Sequence, residues 1–269
     1  MKLSHLITKT IKNKPILYFF FFTFIFSWGC WIPLIFIKKE ITIIRMIGTF
    51  SPIIFAIIIT KVIEGNYGIK QLLKPFLIWK FNIVWYIFCI FSTALICFTA
   101  IGVSVSFKIT DFYFNDLSKI YILIPIFLYV LLTSVLGEET GWRGFAQKRL
   151  QIYVSPITAS IIIGIIWGFW HLPLFFIPNN FHHFIPFWLF LIQEVALSIV
   201  IAWIYNNTRK SLLSVHIFHT ASNITLGVLP ILPMDTKGNL VPLYITVILL
   251  VLFSICLILS KSIKNIEIE

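Results

Sequence analysis

Two adjacent carboxylates and an arginine lie beside an apolar run in the stretch GEETGWRG, residues 137–144. The run before them, 120–136, is almost wholly apolar, and a charge at the centre of a membrane-spanning helix costs at least about 2.5–3.5 kcal/mol. Glu139 and Arg143 are four residues apart, so on a helix they can pair on one face. Glu138 lies about 100° around that helix and is free to face elsewhere. The spacing favours Glu138 as the working carboxylate, although it also permits the reverse assignment.

Three further polar side chains interrupt two other apolar segments. His171 follows Trp167 by one helical turn in WGFWHLP, and Pro173 is expected to end the regular helix soon afterwards. His219 and Asn223, in HIFHTASN, are four residues apart and therefore share a helix face. Polar groups inside hydrocarbon usually face the interior of a bundle or a wet cavity. The alternative is that these residues only pack and make hydrogen bonds between helices.

Side chains of these types could activate a water molecule. A carboxylate and an imidazole beside one water form a general-base pair. A second imidazole and an amide could donate hydrogen bonds to the oxyanion that forms on an attacked carbonyl. One Glu and two His are equally the ligand set of a catalytic zinc site, here Glu138, His171 and His219. The sequence contains no HExxH motif, so such ligands would come from three separate helices, and both mechanisms remain open.

The elements that carry these residues are predicted to be transmembrane helices. Of the 269 residues, 59% are hydrophobic and only 12% are charged, whereas a soluble domain is nearer half apolar and a quarter charged. A transmembrane helix needs about 20 mainly apolar residues. The sequence therefore predicts an all-α polytopic membrane protein, a bundle of about eight transmembrane helices with an intramembrane polar cavity. The predicted segments are 16–37, 46–63, 82–106, 120–138, 156–177, 184–205, 211–229 and 240–260. We expect one transmembrane domain, 1–269, with its motifs in 120–229.

The basic residues predict how the chain is oriented in the membrane. If the N-terminus is cytoplasmic and the segments alternate, 15 of the 21 Lys and Arg residues fall on the inner side, as the positive-inside rule requires. Both termini are therefore predicted to be cytoplasmic, and GEETGWRG is predicted near the cytoplasmic end of the fourth helix. The net charge of +11 then reflects anionic lipid headgroups, and the bilayer rather than nucleic acid is the expected partner.

The polar residues form three motifs that occur in a fixed order. They are Glu138-Glu139-x-x-x-Arg143, an aromatic-x-x-x-His pair that ends at His171, and His219-x-x-x-Asn223. In order, spacing and placement on segments four, five and seven, these motifs resemble the signature of the CAAX protease and bacteriocin-processing family, also called Abi. That family contains the type II CAAX prenyl endopeptidases.

The resemblance implies a glutamate-dependent intramembrane endopeptidase. By residue it implies water activation by Glu138 and His171, oxyanion stabilisation by His219 and Asn223, and support of the first motif by Glu139 and Arg143. The family is often labelled a metalloendopeptidase family, yet a water activated by Glu and His without metal suits it as well. Zinc is therefore an open expectation.

Two positions fall outside this pattern. Trp167 stands where the family usually has Phe, which keeps an aromatic wall but narrows the passage beside it. Glu194 has no place in the signature, and we expect it to be a partner of His216 or Arg143.

The expected function is cleavage of a peptide or membrane-protein segment near the cytoplasmic leaflet, in a bacterial cell membrane. Bacteriocin self-immunity and maturation of a peptide signal are the expected pathways. The alternative is a non-catalytic membrane scaffold or immunity protein that binds a peptide or a sensor partner. A small proton-coupled transporter would show inverted repeats with broken helices, and the sequence has no such symmetry.

Overall fold

The chain is a helical bundle in the part that the computed structural model describes, residues 10–110 and 121–260, and no strand occurs there. The helices are α1 (Pro15–Ile37), α2 (Thr42–Thr49), α3 (Ser51–Leu73), α4 (Ile83–Ser106), α5 (Leu123–Leu150), α6 (Pro156–Trp170), α7 (Phe187–Asn207), α8 (Leu212–Val228) and α9 (Val241–Leu259). Among these residues, seven stretches are long and apolar enough to cross a membrane, with α2 and α3 counted as one. The helix α8 has 17 residues, the lower limit for a span. The predicted all-α polytopic membrane protein is confirmed.

Lipid-facing surfaces are recognisable by their exposed apolar side chains. On α4, Ile87, Phe91 and Leu95 follow one another at four-residue intervals and are 54%, 60% and 69% exposed. A continuous apolar stripe of this kind would be an aggregation hazard in water. It is the surface expected of a helix that borders hydrocarbon.

The helix α5 continues well past the end predicted for it. The sequence predicted a segment over 120–138, but the helix runs to Leu150, because its charged residues pair inside the bundle rather than at the headgroups. Two stretches, Leu131–Val135 and Thr140–Gln147, are π-helical, a wider turn that often occurs at functional sites. Glu138 therefore lies about midway along α5, and its predicted position near the end of the helix is wrong.

Two glycines let the backbone of α5 pack directly against the start of α3. A Cβ atom on Gly137 would lie 2.8 Å from the carbonyl oxygen of Thr49, and one on Gly141 would lie 2.4 Å from the Cβ of Pro52. The two glycines are four residues apart and so occupy one face of the helix. This face is taken up by backbone packing, which leaves Glu138 and Glu139 to point in other directions.

Successive connections alternate between two ends of the bundle. We call the end that holds 74–82, 151–155 and 208–211 the terminal end, since α1 begins and α9 finishes there. The opposite, distal end holds 38–41, 107–110, 171–186 and 229–240. Ser211 Oγ donates to the carbonyl oxygen of Ile78 at 2.6 Å at the terminal end, and Asn239 Nδ2 donates to that of Ile109 at 2.9 Å at the distal end. These bonds join connections distant in sequence and fix which of them lie together.

Candidate active site

A cavity of about 450 Å³ lies between α5, α6, α7 and α8. Its walls include six of the residues that the sequence singled out: Glu138, Trp167, His171, Glu194, His219 and Asn223. The volume falls within the range usual for ligand sites, about 300–1,000 Å³. A larger groove, about 780 Å³, runs along the apolar outer side of α1, but its walls carry no acid or base.

Glu138 presents its carboxylate at the cavity wall in a fixed orientation. Ser134 Oγ donates to Glu138 Oε1 at 2.8 Å, and Trp167 Nε1 donates to Oε2 at 2.8 Å. The Ser134 hydroxyl comes from the preceding turn of α5, and the indole comes from α6. An ionised carboxylate has about four lone-pair positions, so each oxygen can still accept a hydrogen bond from a water in the cavity.

Glu139 lies behind the cavity wall and binds two partners. Its Oε2 accepts from Arg143 Nε at 3.0 Å and its Oε1 accepts from His219 Nδ1 at 2.9 Å. Arg143 is fully buried and donates a second bond from Nη1 to Ser198 Oγ at 3.0 Å. The Ser198 hydroxyl in turn donates to the carbonyl oxygen of Ser160 at 2.6 Å. The pair that the spacing predicted is present, and it ties α5 to α6, α7 and α8.

Trp167 is the aromatic centre of the site. Besides its bond to Glu138, its ring lies 5.5 Å from the guanidinium carbon of Arg143 and packs edge-on against the His219 ring, with centroids 5.1 Å apart. The Phe that is usual in the resembling family could provide these ring contacts but not the N–H. With Trp in place of Phe at position 167, this chain therefore has an additional hydrogen-bond donor to the Glu138 carboxylate.

The two histidines have different hydrogen-bond partners, which gives them different chemistry. His171 Nδ1 lies 3.0 Å from the carbonyl oxygen of Trp167, which can only accept, so Nδ1 carries the proton and a neutral ring has its lone pair on Nε2. His219 Nδ1 faces the Glu139 carboxylate instead. A carboxylate that accepts from Nδ1–H can accompany an imidazolium, whose Nε2–H is a further donor. The arrangement suits His171 as an acceptor and His219 as a donor.

Two of the polar residues take positions that the sequence did not predict. His216 Nδ1 donates to the carbonyl oxygen of Leu212, and its ring packs on Phe76, away from the cavity. Glu194 lines the cavity, is 4% exposed, and has one carboxylate oxygen without a hydrogen-bond partner. No hydrogen bond joins Glu194 to His216 or Arg143, although its carboxylate interacts electrostatically with the Arg143 guanidinium.

The serines that complete the site were not found by sequence reasoning. Ser134 precedes Glu138 by four residues and Ser198 follows Glu194 by four, so each could have been proposed from helix spacing. Serine is common in membrane helices, where its hydroxyl usually bonds to its own helix. The type of residue therefore carried little signal without the packing.

The candidate metal ligands do not form a ready-made metal site. Over residues 10–110 and 121–260, no three His, Cys, Asp or Glu side chains are grouped so that they could hold a metal ion. The residues as placed do not fit zinc, and we derive no step through a metal.

The rim of the cavity is built by the distal end of the bundle. Arg45 of α2, His182 and Asp235 line it. His182 is buried, its Nδ1 lies 2.7 Å from Asn180 Oδ1, and burial holds its pKa well below the usual value. Partial burial also raises the pKa of Asp235. The rim thus combines a cation, a carboxylate and a neutral imidazole.

The sequence is also similar to known proteins. Residues 120–225 match the family model described as type II CAAX prenyl endopeptidase Rce1-like. Over 246 residues the chain is 28% identical to CAAX prenyl protease 2 of Methanococcus maripaludis, and the alignment covers 84% of this chain and 88% of that protein. All three motifs fall within the matched segment. The predicted resemblance and the protease class are confirmed: residues 120–225 carry an Rce1-like CAAX prenyl endopeptidase domain, and the chain is a membrane protease.

Proposed function

We propose that the protein hydrolyses a peptide bond in this cavity by a glutamate-dependent mechanism. The observation that supports this most strongly is the convergence of Glu138, His171, His219 and Asn223, from three helices, on one cavity. Glu139, which does not line the cavity, joins Glu138's helix to the ring of His219. A carboxylate, an imidazole acceptor and hydrogen-bond donors around one cavity are the groups that water attack on a carbonyl requires.

The reaction begins with a water held between Glu138 and Nε2 of His171. Glu138 takes a proton as the water oxygen attacks the carbonyl carbon of the peptide bond. The new oxyanion accepts hydrogen bonds from Nε2–H of His219 and the side-chain amide of Asn223, each worth about 2.7–4 kcal/mol in comparable sites. The proton on Glu138 passes to the amide nitrogen as the C–N bond breaks. Peptide and water thus become a carboxylic acid and an amine.

The substrate that we propose is a peptide or a segment of a membrane protein. A cavity of about 450 Å³ admits a short extended stretch of polypeptide, not a folded domain. The name of the Methanococcus maripaludis relative refers to CAAX prenyl proteins, and a peptide ending of that kind is one probe. Bacteriocin self-immunity and peptide-signal maturation in a bacterial cell membrane are the two processes we propose to test, since both act on peptides at the membrane.

The test is incubation of the purified full chain in detergent with a mixed peptide library, followed by mass spectrometry. We expect new termini with the wild-type protein, and none above background with Glu138→Ala or His219→Ala. Glu64→Ala is the matched control, because Glu64 is an exposed carboxylate at the terminal end that pairs with Arg149. Equal product with all four proteins would refute proteolysis at this site.

The same assay separates the two open alternatives. A chelator followed by zinc addition tests the metal requirement, and loss followed by zinc-specific recovery would assign a metal to the site. A cellular phenotype that survives Glu138→Ala would favour the non-catalytic scaffold or immunity protein.

A further inference from the structure

We infer that the cavity opens at the outer face of the membrane and receives a polypeptide presented from that side. The inference rests on the proposed function for the nature of the substrate. The sidedness itself depends only on which end of the bundle holds the cavity and on where the basic residues lie. It differs from the expectation of cleavage near the cytoplasmic leaflet.

The cavity belongs entirely to the distal half of the bundle. The helices α5 and α7 begin at the distal end and contribute residues from their first halves, 129–138 and 190–194. The helix α8 runs the other way and contributes from its second half, 219–227. The remaining walls come from α2, the end of α6, and the connections 171–186 and 229–240. None of the terminal connections 74–82, 151–155 and 208–211 reaches the cavity.

The terminal side of the cavity is closed by buried side chains. Glu139, Arg143, Trp142 and Phe145 are each 0% exposed, and they occupy α5 between Glu138 and the terminal end. Arg143 is bonded across to Ser198, and its guanidinium lies over the ring of Trp167. A substrate that arrived from the terminal end would have to displace this packed layer. At the distal end, the described residues that border the cavity form its rim.

The basic residues assign the terminal end to the cytoplasm. Each described terminal connection or its flanking turn carries a basic pair: Lys74 and Lys80, Lys148 and Arg149, and Arg209 and Lys210. At the distal end, Arg45 is neutralised by Glu40, with Nε and Oε1 2.9 Å apart. Among the described residues, with the buried Arg143 left out, ten Lys and Arg residues lie towards the terminal end and five towards the distal end. Since Lys and Arg are retained on the cytoplasmic side, the distal end and its cavity face outward.

Two predictions from the sequence are therefore incompatible. Cytoplasmic termini and cleavage near the cytoplasmic leaflet cannot both hold when the cavity opens at the end opposite the termini. The charge distribution supports the first of them. The substrate is then a polypeptide segment that has reached the outer surface, either a secreted peptide or the outer flank of a membrane protein.

Cysteine labelling of the full chain in intact bacterial cells tests the sidedness. Met234→Cys places a thiol on the rim, and Lys39→Cys places a second at the distal end. Tyr153→Cys is the matched reporter at the terminal end, and all three positions are exposed. The reagent is a maleimide that does not cross membranes. The wild-type chain measures background, because its four cysteines lie within membrane helices, in α1, α4 and α9.

We expect both distal reporters to label equally before and after cell lysis, and Tyr153→Cys to label only after lysis. Protection of either distal reporter in intact cells, or labelling of Tyr153→Cys from outside, would overturn the inference. A peptide that the purified protein cleaves should also be cleaved when it is added outside intact spheroplasts. If the purified protein cleaves no peptide, the proposed function fails, but the labelling still decides which way the cavity faces.

Discussion

The buried pair of Glu139 and Arg143 allows a test of how the site is held together. Arg143 is fully buried, has Glu139 as its anionic partner at 3.0 Å, and leaves Nη2 without a hydrogen bond. Glu139→Gln removes the counter-charge and keeps the shape. Because it removes the directly bonded counter-charge of a buried cation, we expect it to cost about 3–5 kcal/mol. At about 2–4 °C per kcal/mol for a chain of this size, the unfolding temperature should fall by roughly 6–20 °C.

The partner variant should cost less, and the double variant should recover part of the loss. Arg143→Met leaves Glu139 with His219 as a remaining donor, 2.9 Å away, so its charge is not stranded. Glu139→Gln combined with Arg143→Met removes both charges, and replacing a buried pair by neutral groups is often close to neutral. We therefore expect the double variant to unfold at a higher temperature than Glu139→Gln alone.

Thermal unfolding in detergent, followed by the fluorescence of the nine Trp residues, measures the cycle. A strong coupling between the two positions is the predicted result. Additive effects, with each single variant within about 0.5 kcal/mol of wild type as for an ordinary surface site, would refute the view that this pair braces the site.

Three further predictions concern packing and the neighbours of the carboxylate. Gly141→Ala should lower the unfolding temperature, because the added Cβ would meet the α3 backbone, at a cost of about 1–3 kcal/mol. Gly102→Ala is the control: nothing lies within 4 Å of its added Cβ, so it should not lower the unfolding temperature. Trp167→Phe should lower kcat by about tenfold or more with little change in KM, because a hydrogen bond to a charged group is worth about 1.5–3 kcal/mol; an unchanged kcat would show that only the ring wall matters. Glu194→Gln should raise the unfolding temperature, since one carboxylate oxygen is buried without a partner; a lower temperature would reveal a partner for that carboxylate.

The membrane spans could be predicted because hydrocarbon imposes a length and a composition on every helix. All eight predicted segments correspond to helices, and most of their ends agree with the structure to within a few residues. The sequence left open whether 143–151 continues α5 or lies along the interface, because only the packing shows that Arg143 and its partners are buried in the bundle. The true lengths of spans depend on such pairs.

The residues of the site were predictable by type and spacing, but their contacts were not. Glu138 and Glu139 are adjacent in sequence, and only the glycine packing of α5 on α3 decides which of them faces the cavity. The bond from Trp167 to Glu138 joins residues 29 positions apart. The end at which the cavity opens is also a tertiary property, since hydropathy treats both ends of a helix alike.

The measurement that tests the central claim most directly is single-turnover hydrolysis of one cleaved peptide by Glu138→Gln, with peptide affinity measured on the same samples. Gln keeps the shape: its amide oxygen can accept from Trp167 and its amide nitrogen can donate to the Ser134 hydroxyl, but it cannot take a proton from water. We predict unchanged affinity and a rate of hydrolysis lower by about 10²–10⁴-fold, the usual contribution of a general base. A rate close to that of the wild-type protein would contradict the assignment of Glu138 as the base.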